Sequence, residues 1–368
     1  MMSNEPSEIH VLMMPDYSKD NPYQTLLKRA LEDEQVMVDF PKGYRRILPI
    51  SRSILSQSIK INILHIHWIN PYLKGENLFV FSVYSLKFLL DILIARMLGV
   101  KIIWTIHNRV SHESKFIKIE LWVRQALSRI VHSMIIHNQS YLSEIASDLK
   151  ISEKRFSIIS YGNFKGIYDC KISKDVSRNY LQIDKFKRVF LHQGNLRPYK
   201  GTEQLITAWR QWEENAKDSI LIIVGQPLND DYAEKLKKDI DLTKSIIFIP
   251  EFIPDNLLGY YYSAADIAVL PFTQITSPSS LILAMSFSIP VIAPKIGAIQ
   301  ELLGETASSL LYDHTDPNGL MNSLNLSETV DLVDLSLQID RSCDKLSWLK
   351  TARSTKALYL SNLPCHIS

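Results

Sequence analysis

The segment VFLHQGNLRPYKG, from Val189 to Gly201, contains the residue types that bind a phosphate group. It begins as a short apolar strand, turns at Gly194, and presents Arg197 and Lys200 directly before the helical pattern that starts at Thr202. Backbone N–H groups at a helix N-terminus carry partial positive charge, arginine adds a planar set of donors, and lysine adds a point charge. Two interpretations stay open at this point: a phosphate site, or a strand-to-helix loop with surface cations.

A second stretch, Asp266 to Leu303, supplies the context that a phosphate site needs. The buried-strand pattern AADIAVLPF is followed by the polar loop TQITSPSS, an apolar helix start and the short strand IPVIAP. This strand–loop–helix–strand order is typical of half of a doubly wound parallel sheet, whose loops meet at one edge. Ser279 and Ser280 lie at N-cap positions, so we expect a second helix N-terminus to face the same crevice.

In this order and spacing, the two stretches resemble the C-terminal domain of GT-B-fold glycosyltransferases. In particular, they are similar to the large family of nucleotide-sugar-dependent bacterial polysaccharide glycosyltransferases (family 4-like, glycosyl transferases group 1). The resemblance implies an α/β fold of two Rossmann-like domains, with parallel sheets that face a central cleft and a C-terminal helix that crosses back to the N-terminal domain. It also implies a hexosyltransferase in which Arg197 and Lys200 hold the diphosphate of the donor.

The resemblance implies a donor-binding set on the C-terminal half of the chain. The loop after the strand IIFIP corresponds to the loop with which GT-B enzymes bind the nucleobase, largely through backbone groups. The donor-binding residues implied in this way are Gly194, Asn195, Arg197, Lys200, Gly201, Phe252, Ile253, Ser279, Ser280 and Leu281. Because GT-B enzymes use cationic side chains and helix dipoles where GT-A enzymes use a metal, the resemblance implies no cofactor and no metal.

The sequence departs from the family pattern at two places. Asn195 stands where the family usually has an arginine after the glycine, and Arg197 is the nearby replacement. The two-glutamate motif E-x7-E would fall at Ile275 and Leu283, neither of which is acidic. An alternative function therefore stays open, namely a catalytically inactive GT-B protein that binds a glycan or a partner. A sugar epimerase or a phosphorylase with the same fold is a further alternative.

The candidate catalytic residue is His107, which ends the buried strand pattern KIIWTIH. A strand end of this kind faces the crevice of an open α/β sheet. The resemblance implies a histidine here beside the donor sugar and the acceptor, and histidine can exchange protons near neutral pH. Asn108, His112 and Glu113 follow it, either as further site groups or as a capped helix start.

Other candidate residues belong to the acceptor side of the N-terminal half. His65 and His67 alternate along one strand and so point to the same face, where they could bind a metal together with His107. We favour an acceptor surface instead, with Trp68 as an apolar platform for a sugar ring or, alternatively, as a core residue. The acceptor-side residues are Asn21, Tyr23, His67, Trp68, Asn108, His112 and Glu113.

The composition and charge of the chain indicate its class and its expected partners. The chain has 368 residues, 46% hydrophobic and 22% charged, which is typical of a globular protein of two or three domains. The net charge of +2 gives no reason to expect a nucleic-acid partner. Residues 1–180 carry 24 Lys and Arg against 17 Asp and Glu, so the N-terminal half is basic. We therefore expect a nucleotide sugar and a glycan or lipid-linked acceptor as partners, with peripheral contact to an anionic membrane or a solvated basic surface as open alternatives.

The sequence argues against several protein classes and against secretion. The chain contains no GxGxxG after its first strand, no Walker-type loop and no GxSxG elbow, which argues against a dehydrogenase, an NTPase and a hydrolase. Its three scattered cysteines favour a reducing compartment, and the N-terminus has no secretory signal pattern. We expect a cytoplasmic protein, with the inner face of the cytoplasmic membrane as the alternative. The segment Leu78–Val100 is long enough to span a membrane, but three charges interrupt it and favour a buried amphipathic helix.

The hydrophobic pattern alternates between strands and helices in both halves, which indicates parallel sheets. It predicts an N-terminal acceptor domain over residues 1–170, a nucleotide-sugar domain over residues 171–340 and a crossing helix within residues 341–368. The basic segment Phe40–Lys60 is predicted as a surface, and Ile167–Arg188 as the linker between domains. One amphipathic helix is predicted over Ser342–Leu360.

Overall fold

The computed structural model describes residues 8–19, 21–43, 47–110, 115–168, 172–183, 188–213, 218–274 and 278–364. Over these residues the chain forms two compact units, with boundaries after Gly162 and after Leu346. The first unit contains the N-terminal part of the chain and its last helix, and the second contains the segment between the two boundaries.

The first unit is built on a parallel sheet in the strand order β2-β1-β3-β4-β5-β6. The strands are β1 (Ile9–Met14), β2 (Val36–Asp39), β3 (Ile63–Ile66), β4 (Lys101–Thr105), β5 (Ser133–Ile136) and β6 (Phe156–Ile158). The helices between them are α1 (Pro22–Asp33), α2 (Pro49–Leu55), α3 (Leu78–Met97), α4 (Ile117–Ile130) and α5 (Leu142–Leu149). Every residue of β1 and β3 is buried, as a parallel sheet covered by helices on both faces requires.

The second unit is built on another parallel sheet, in the order β12-β11-β10-β7-β8-β9. Its strands are β7 (Arg188–Gln193), β8 (Ser219–Val224), β9 (Ile246–Ile249), β10 (Ile267–Val269), β11 (Val291–Pro294) and β12 (Leu311–Tyr312). Its helices are α6 (Lys174–Tyr180), α7 (Thr202–Trp212), α8 (Asp230–Ile240), α9 (Asp255–Ala264), α10 (Ser279–Ser286), α11 (Ala298–Leu303), α12 (Gly319–Leu326) and α13 (Leu332–Asp344). The last helix of the chain, α14 (Trp348–Asn362), belongs to the first unit and packs against α1.

The predicted α/β class with two Rossmann-like parallel sheets is confirmed, and three local predictions need correction. The basic segment Phe40–Lys60 contains α2, a helix that the sequence pattern did not indicate, and the predicted linker Ile167–Arg188 contains α6. The single C-terminal helix is two helices, α13 and α14, because the chain leaves the helical path between Asp344 and Trp348.

Helix α3 combines a buried face with an exposed one that is also apolar. Its buried residues are Phe81, Ser85, Phe88, Leu89, Asp91, Ile92 and Ala95. It is the one described helix that is long and apolar enough to cross a membrane, and 39% of its most apolar window is buried within the structure. The predicted helix is therefore present, but its solvent face is not the polar face that an amphipathic helix would show.

Candidate functional site

The strand order of the second sheet places the phosphate candidates at a topological switch point. β7 and β10 are neighbours, while the chain continues from β7 towards β9 on one side and from β10 towards β12 on the other. In open α/β sheets, ligands bind outside the carboxyl ends of the strands at such a point. Gly194 follows β7, and α10 follows β10, so both predicted loops lie at this position.

Two glycines allow the backbone at this edge to pack closely. Gly201 has φ of 72°, and a Cβ at this position would lie 1.9 Å from the carbonyl oxygen of Pro271. Gly225, after β8, has φ of 147°, and its Cβ would lie 1.8 Å from the oxygen of Gly194. No other residue type fits these positions without moving the backbone, so the glycines fix the shape of the loops.

Lys200 places a cationic group at this edge of the second sheet. Its Nζ donates a hydrogen bond to Ser280 Oγ at 3.1 Å and lies 4.7 Å from the centre of the Phe272 ring. A Cβ built on Gly194 would lie 3.8 Å from the same Nζ, so the glycine turn, the lysine and the start of α10 meet. Burial, and to a smaller extent the charge of Arg197, lower the pKa of Lys200 to about 8. An anionic ligand at this point would oppose both effects and hold the ammonium in its charged form.

Arg197 and His192 support the loop from either side. Arg197 Nη1 donates to the carbonyl oxygens of Leu196 at 3.0 Å and Gln226 at 3.1 Å. His192 Nδ1 lies 2.9 Å from the carbonyl oxygen of Val269, and its Nε2 lies 3.0 Å from Thr202 Oγ1. Burial lowers the pKa of His192 to about 4, so this ring is neutral and joins β7, β10 and α7.

The other donor-side candidates are more dispersed. Asn195 and Ser279 are exposed, and Phe252 is 65% exposed on the loop after β9, two strands away from β7. The side chains of Ile253 and Leu281 are buried, and Leu281 N donates to the carbonyl oxygen of Pro278 at 3.0 Å. At the positions of the family's two glutamates, Leu283 is a buried residue of α10, and Ile275 lies outside the described residues.

The first sheet has its own switch point, between β1 and β3. The loop after β1 leads to Asn21, whose side chain caps α1 by accepting from Tyr23 N at 3.0 Å. His67 and Trp68 follow β3, and His107 follows β4. The structure therefore brings three of the predicted segments to one edge of this sheet.

Tyr23, His67, Trp68 and His107 contact one another at that edge. The Trp68 ring stacks on His107 with centroids 4.3 Å apart and an angle of 15°, and Tyr23 meets the same imidazole edge-on at 4.9 Å. His67 Nδ1 lies 3.2 Å from His107 Nε2, so one ring donates and the other accepts. Trp68 is half-buried, whereas His107 is 6% exposed.

Two further histidines extend this group: His65, which the sequence suggested only as a possible metal ligand, and His137, which was not predicted. His65 is held by Tyr359 Oη and by Thr105 Oγ1, each 2.7 Å from one of its ring nitrogens. His137 Nδ1 lies 2.9 Å from the carbonyl oxygen of Ile159, and its ring centroid lies 5.1 Å from that of His107. We call His65, His67, His107 and His137 the histidine cluster. The position of His137 directly after the apolar run of β5, in the pattern MIIHN, was the available sequence signal.

All four members of the histidine cluster are neutral in the folded protein. Burial lowers the pKa of His65 to about 3 and that of His137 to about 4. Burial, followed by repulsion from the neighbouring rings, lowers the pKa of His67 and of His107 well below the usual value. The Nε2 atoms of His67 and His137 are buried and have no hydrogen-bond partner among the described residues. Uncharged imidazoles with such atoms can accept a proton or a hydrogen bond from a ligand.

Acidification should destabilise the first unit for this reason. Below a pH of about 6.5 the unfolded histidines take up protons that the native cluster does not bind. The stability is therefore complete above that pH and falls as the pH drops towards the folded pKa values, by up to about 1.4 kcal/mol per pH unit for each histidine.

Melting temperatures measured by circular dichroism between pH 7.5 and 5 test this expectation. His65→Gln should reduce the slope of melting temperature against pH, whereas His314→Gln, at an exposed position of the second unit, should leave it unchanged. A melting temperature that stays constant from pH 7.5 to 5.5 would contradict the prediction.

The remaining acceptor-side candidates lie at the margin of the cluster or outside the described residues. The carbonyl oxygen of Asn108 accepts from Arg124 Nη1 at 3.0 Å, which ties the segment after β4 to α4. His112 and Glu113 lie outside the described residues. Among the described residues, no group of three or more His, Cys, Asp or Glu side chains has an arrangement that could hold a metal ion.

A cavity of about 400 Å³ lies in the first unit beside the switch point, and it was not predicted. Pro15 and Tyr17 of the loop after β1 line it, and the Tyr17 ring packs edge-on against Trp68 with centroids 5.3 Å apart. The charged residues of its lining are Asp16, Lys74, Lys87 and Asp91. Its aromatic and charged lining suits a ligand with both apolar and phosphate or sugar groups.

Comparison with known proteins finds a family match within the second unit. Residues 173–329 match the family model described as glycosyl transferases group 1. The GDP-mannose:glycolipid 4-beta-D-mannosyltransferase of Xanthomonas campestris pv. campestris is 23% identical over 274 residues, which cover 74% of this chain and 70% of that protein. The D-inositol 3-phosphate glycosyltransferase of Corynebacterium urealyticum is 25% identical over 194 residues, or 50% of this chain and 46% of that protein.

Solved structures share the fold over almost the whole chain. Anabaena HepE, in complex with UDP and glucose, superimposes with a TM-score of 0.70 at 17% identity and covers 97% of this chain and 100% of that one. Sucrose-phosphate synthase from Thermosynechococcus elongatus gives a TM-score of 0.72 at 17% identity, covering 96% of this chain and 98% of that one. These similarities extend the GT-B fold over both units.

Proposed function

We propose that this chain is a group 1 glycosyltransferase with the GT-B fold, and that it transfers a hexose from a UDP- or GDP-sugar to a glycan or lipid-linked glycan acceptor in the assembly of an exopolysaccharide or capsule. The donor binds to the second unit and the acceptor to the first. The observation that carries the proposal is the contact of Lys200 with Ser280 beside the Gly194 turn, at the switch point of the second sheet.

In the reaction, the bond between the anomeric carbon and the diphosphate oxygen breaks, and the electron pair leaves with the diphosphate. Lys200 and the N–H groups at the start of α10 stabilise that charge as it develops. The acceptor hydroxyl oxygen forms the new bond to the anomeric carbon and loses its proton. A neutral imidazole near the acceptor can take that proton, and His107 is our candidate for this role.

The acceptor class is supported by the first unit and by a relative. Aromatic rings are arranged around His107, and the neighbouring cavity combines tyrosines with two lysines. The relative from Xanthomonas acts, by its name, on a glycolipid. We propose an acceptor of the same type, and we propose that the enzyme works in the cytoplasm in peripheral contact with an anionic membrane, where a lipid-linked acceptor would be found.

The choice of donor can be tested by thermal shift. The purified protein is heated with UDP-glucose, GDP-mannose or a dTDP-sugar, each at a concentration well above a typical Kd, and the accepted donor should raise the melting temperature by several degrees. Mass spectrometry of the mixture with a glycan or glycolipid acceptor then identifies the product. If a nucleotide sugar stabilises the protein but is neither transferred nor hydrolysed, the inactive binding protein is favoured. If no acceptor receives a sugar but the donor is epimerised, an epimerase is favoured.

A further inference from the structure

A stripe of exposed apolar side chains runs along the whole solvent face of α3. Its members are spaced alternately by four and three residues, so they share one side of the helix. We call this set the α3 stripe: Phe79, Val83, Leu86, Leu90, Leu93 and Met97. The most exposed members are Phe79 at 78% and Met97 at 86%. Eighteen residues separate the first and last members, which corresponds to about 27 Å of helix.

The stripe has no partner among the described residues, and the helix that bears it is fixed in place. Asp91 on the buried face accepts hydrogen bonds from Ile50 N at 2.8 Å and Ser51 N at 2.9 Å, at the start of α2. A helix tied to the unit in this way does not cross a membrane by itself. A solvent-facing surface of this size on a globular protein normally marks an interaction site.

We propose that the α3 stripe is the surface with which this protein lies on an anionic lipid bilayer. The helix would lie in the plane of the interface, with its stripe among the acyl chains and the rest of the first unit in the headgroup layer and the water. This proposal rests on the proposed function, because it names the membrane from which a lipid-linked acceptor would be taken.

The charges around the stripe favour an anionic bilayer. Residues 47–130, which include α2, α3 and α4, carry eleven Lys and Arg but four Asp and Glu. Two of these carboxylates are buried and paired, Asp91 with the start of α2 and Glu120 with Arg124. The exposed basic residues of this part are Arg52, Lys60, Lys74, Arg96, Lys115, Lys118 and Arg129, together with Arg109, whose charge is paired with Glu144 and Asp148. Each basic side chain near an anionic surface adds attraction, which salt screens.

The two helices that pack against α3 also expose apolar side chains. On α2, Leu55 is 67% exposed, and on α4, Ile117 and Trp122 are 53% and 49% exposed. Trp122 has the amphipathic ring that is enriched at membrane interfaces. Tyr84 and Lys87, on the side of α3 next to the stripe, line the 400 Å³ cavity. A lipid-linked acceptor could thus keep its tail in the bilayer at the stripe while its phosphate or sugar entered the cavity.

A second copy of the chain is a weaker candidate for the occupant. Pairing two α3 stripes would bring two strongly basic surfaces together, and facing like charges oppose association. A bilayer with anionic headgroups removes that repulsion and satisfies the apolar residues at the same time.

Vesicle co-sedimentation tests the proposal. The full chain is mixed with vesicles of phosphatidylcholine containing about one third phosphatidylglycerol, or of phosphatidylcholine alone, and pelleted. The wild type should bind the anionic vesicles. Leu86→Gln with Leu90→Gln should weaken that binding about tenfold or more, because two leucines would lose their contact with the acyl chains. The matched control is Val333→Gln with Leu337→Gln, an equally spaced and exposed pair on α13 of the second unit, which should bind like the wild type.

The outcomes separate this proposal from the proposed function. Melting temperatures confirm that each variant is folded, and Phe79→Ser with Met97→Ser, at the two most exposed positions, serves as an independent stripe variant. The stripe variants should keep wild-type turnover on a water-soluble acceptor. Equal vesicle binding by the wild type and both stripe variants would overturn the proposal. So would a wild type that does not bind vesicles and is a dimer, if the stripe variants are monomers. A lack of turnover in every variant would contradict the proposed function without affecting the vesicle result.

Discussion

Replacing Lys200 with methionine should lower the rate of sugar transfer about a hundredfold or more, while the protein stays folded. The ammonium is the point charge beside the Gly194 turn and Ser280, where we place the diphosphate of the donor. Removing one preorganised charge-stabilising donor usually has an effect of this size. Methionine preserves the length of the side chain and its contact with the Phe272 ring, so the loop should keep its shape.

Stability distinguishes this role from a structural one. Burial lowers the pKa of Lys200, which means that the charged form is held at the expense of folding free energy. Methionine should therefore leave the melting temperature unchanged or raise it. Lys235→Met, which removes a surface ion pair with Glu203 on the same unit, is the matched control and should retain full activity. An active Lys200→Met enzyme, or one that is inactive because it is unfolded, would contradict the phosphate role.

The pH dependence of the wild type provides a second measurement of the same group. A pKa of about 8 in the free enzyme means that Lys200 loses its charge as the pH rises from 7 to 9. Since the diphosphate prefers the charged form, kcat/KM should fall over this range, whereas kcat should fall at higher pH because the bound donor raises the pKa. Lys200→Met should lack this alkaline fall in kcat/KM.

The loops at the switch point of the second sheet were predictable because their sequence signals are local. The apolar run of β7, the glycine turn, and the polar loop before α10 each lie within a few residues, and the parallel α/β order then brings the two loops together. The contact between Lys200 and Ser280, eighty residues apart, follows from the sheet order rather than from either loop alone. The exact partners of Arg197 depend on the distant backbone of Gln226, which no local pattern indicates.

Other features could not be derived from the chain by pattern. The N-cap of α2 is Leu48, in a left-handed conformation with φ of 47° and without a side-chain cap, so the start of this helix is marked only by Pro49 at its first position. α3 carries apolar residues on both its buried and its exposed face, so periodicity cannot say which face the core covers. The histidine cluster joins β3, β4, β5 and α14, so the roles of Tyr359 and His137 emerge only when the fold is known.

The second large effect is expected from His107→Gln, which should lower kcat about a hundredfold or more with little change in nucleotide affinity. Glutamine can still bond to His67 Nδ1 and roughly fills the volume between Tyr23 and Trp68, but it cannot take a proton. Loss of a positioned general base usually slows a reaction by a factor of about 10² to 10⁴. Nucleotide affinity should persist because the proposed phosphate site belongs to the second unit.

The matched control for His107→Gln is His65→Gln, in the same cluster. Both ring nitrogens of His65 are engaged by Tyr359 and Thr105, so it has a structural role in our assignment, and its replacement should lower the melting temperature more than the turnover of the folded fraction. Burial keeps the pKa of His107 well below the usual value, so a base at this position is deprotonated throughout the physiological range. The wild-type kcat should accordingly be flat from pH 7 down to about 6, the unperturbed range of histidine. If His107→Gln has a lower melting temperature but its folded fraction turns over like the wild type, then His107 is a packing residue. The proton must then go to another group at this edge. Among the described residues there, His67 and His137 have ring nitrogens without a hydrogen-bond partner.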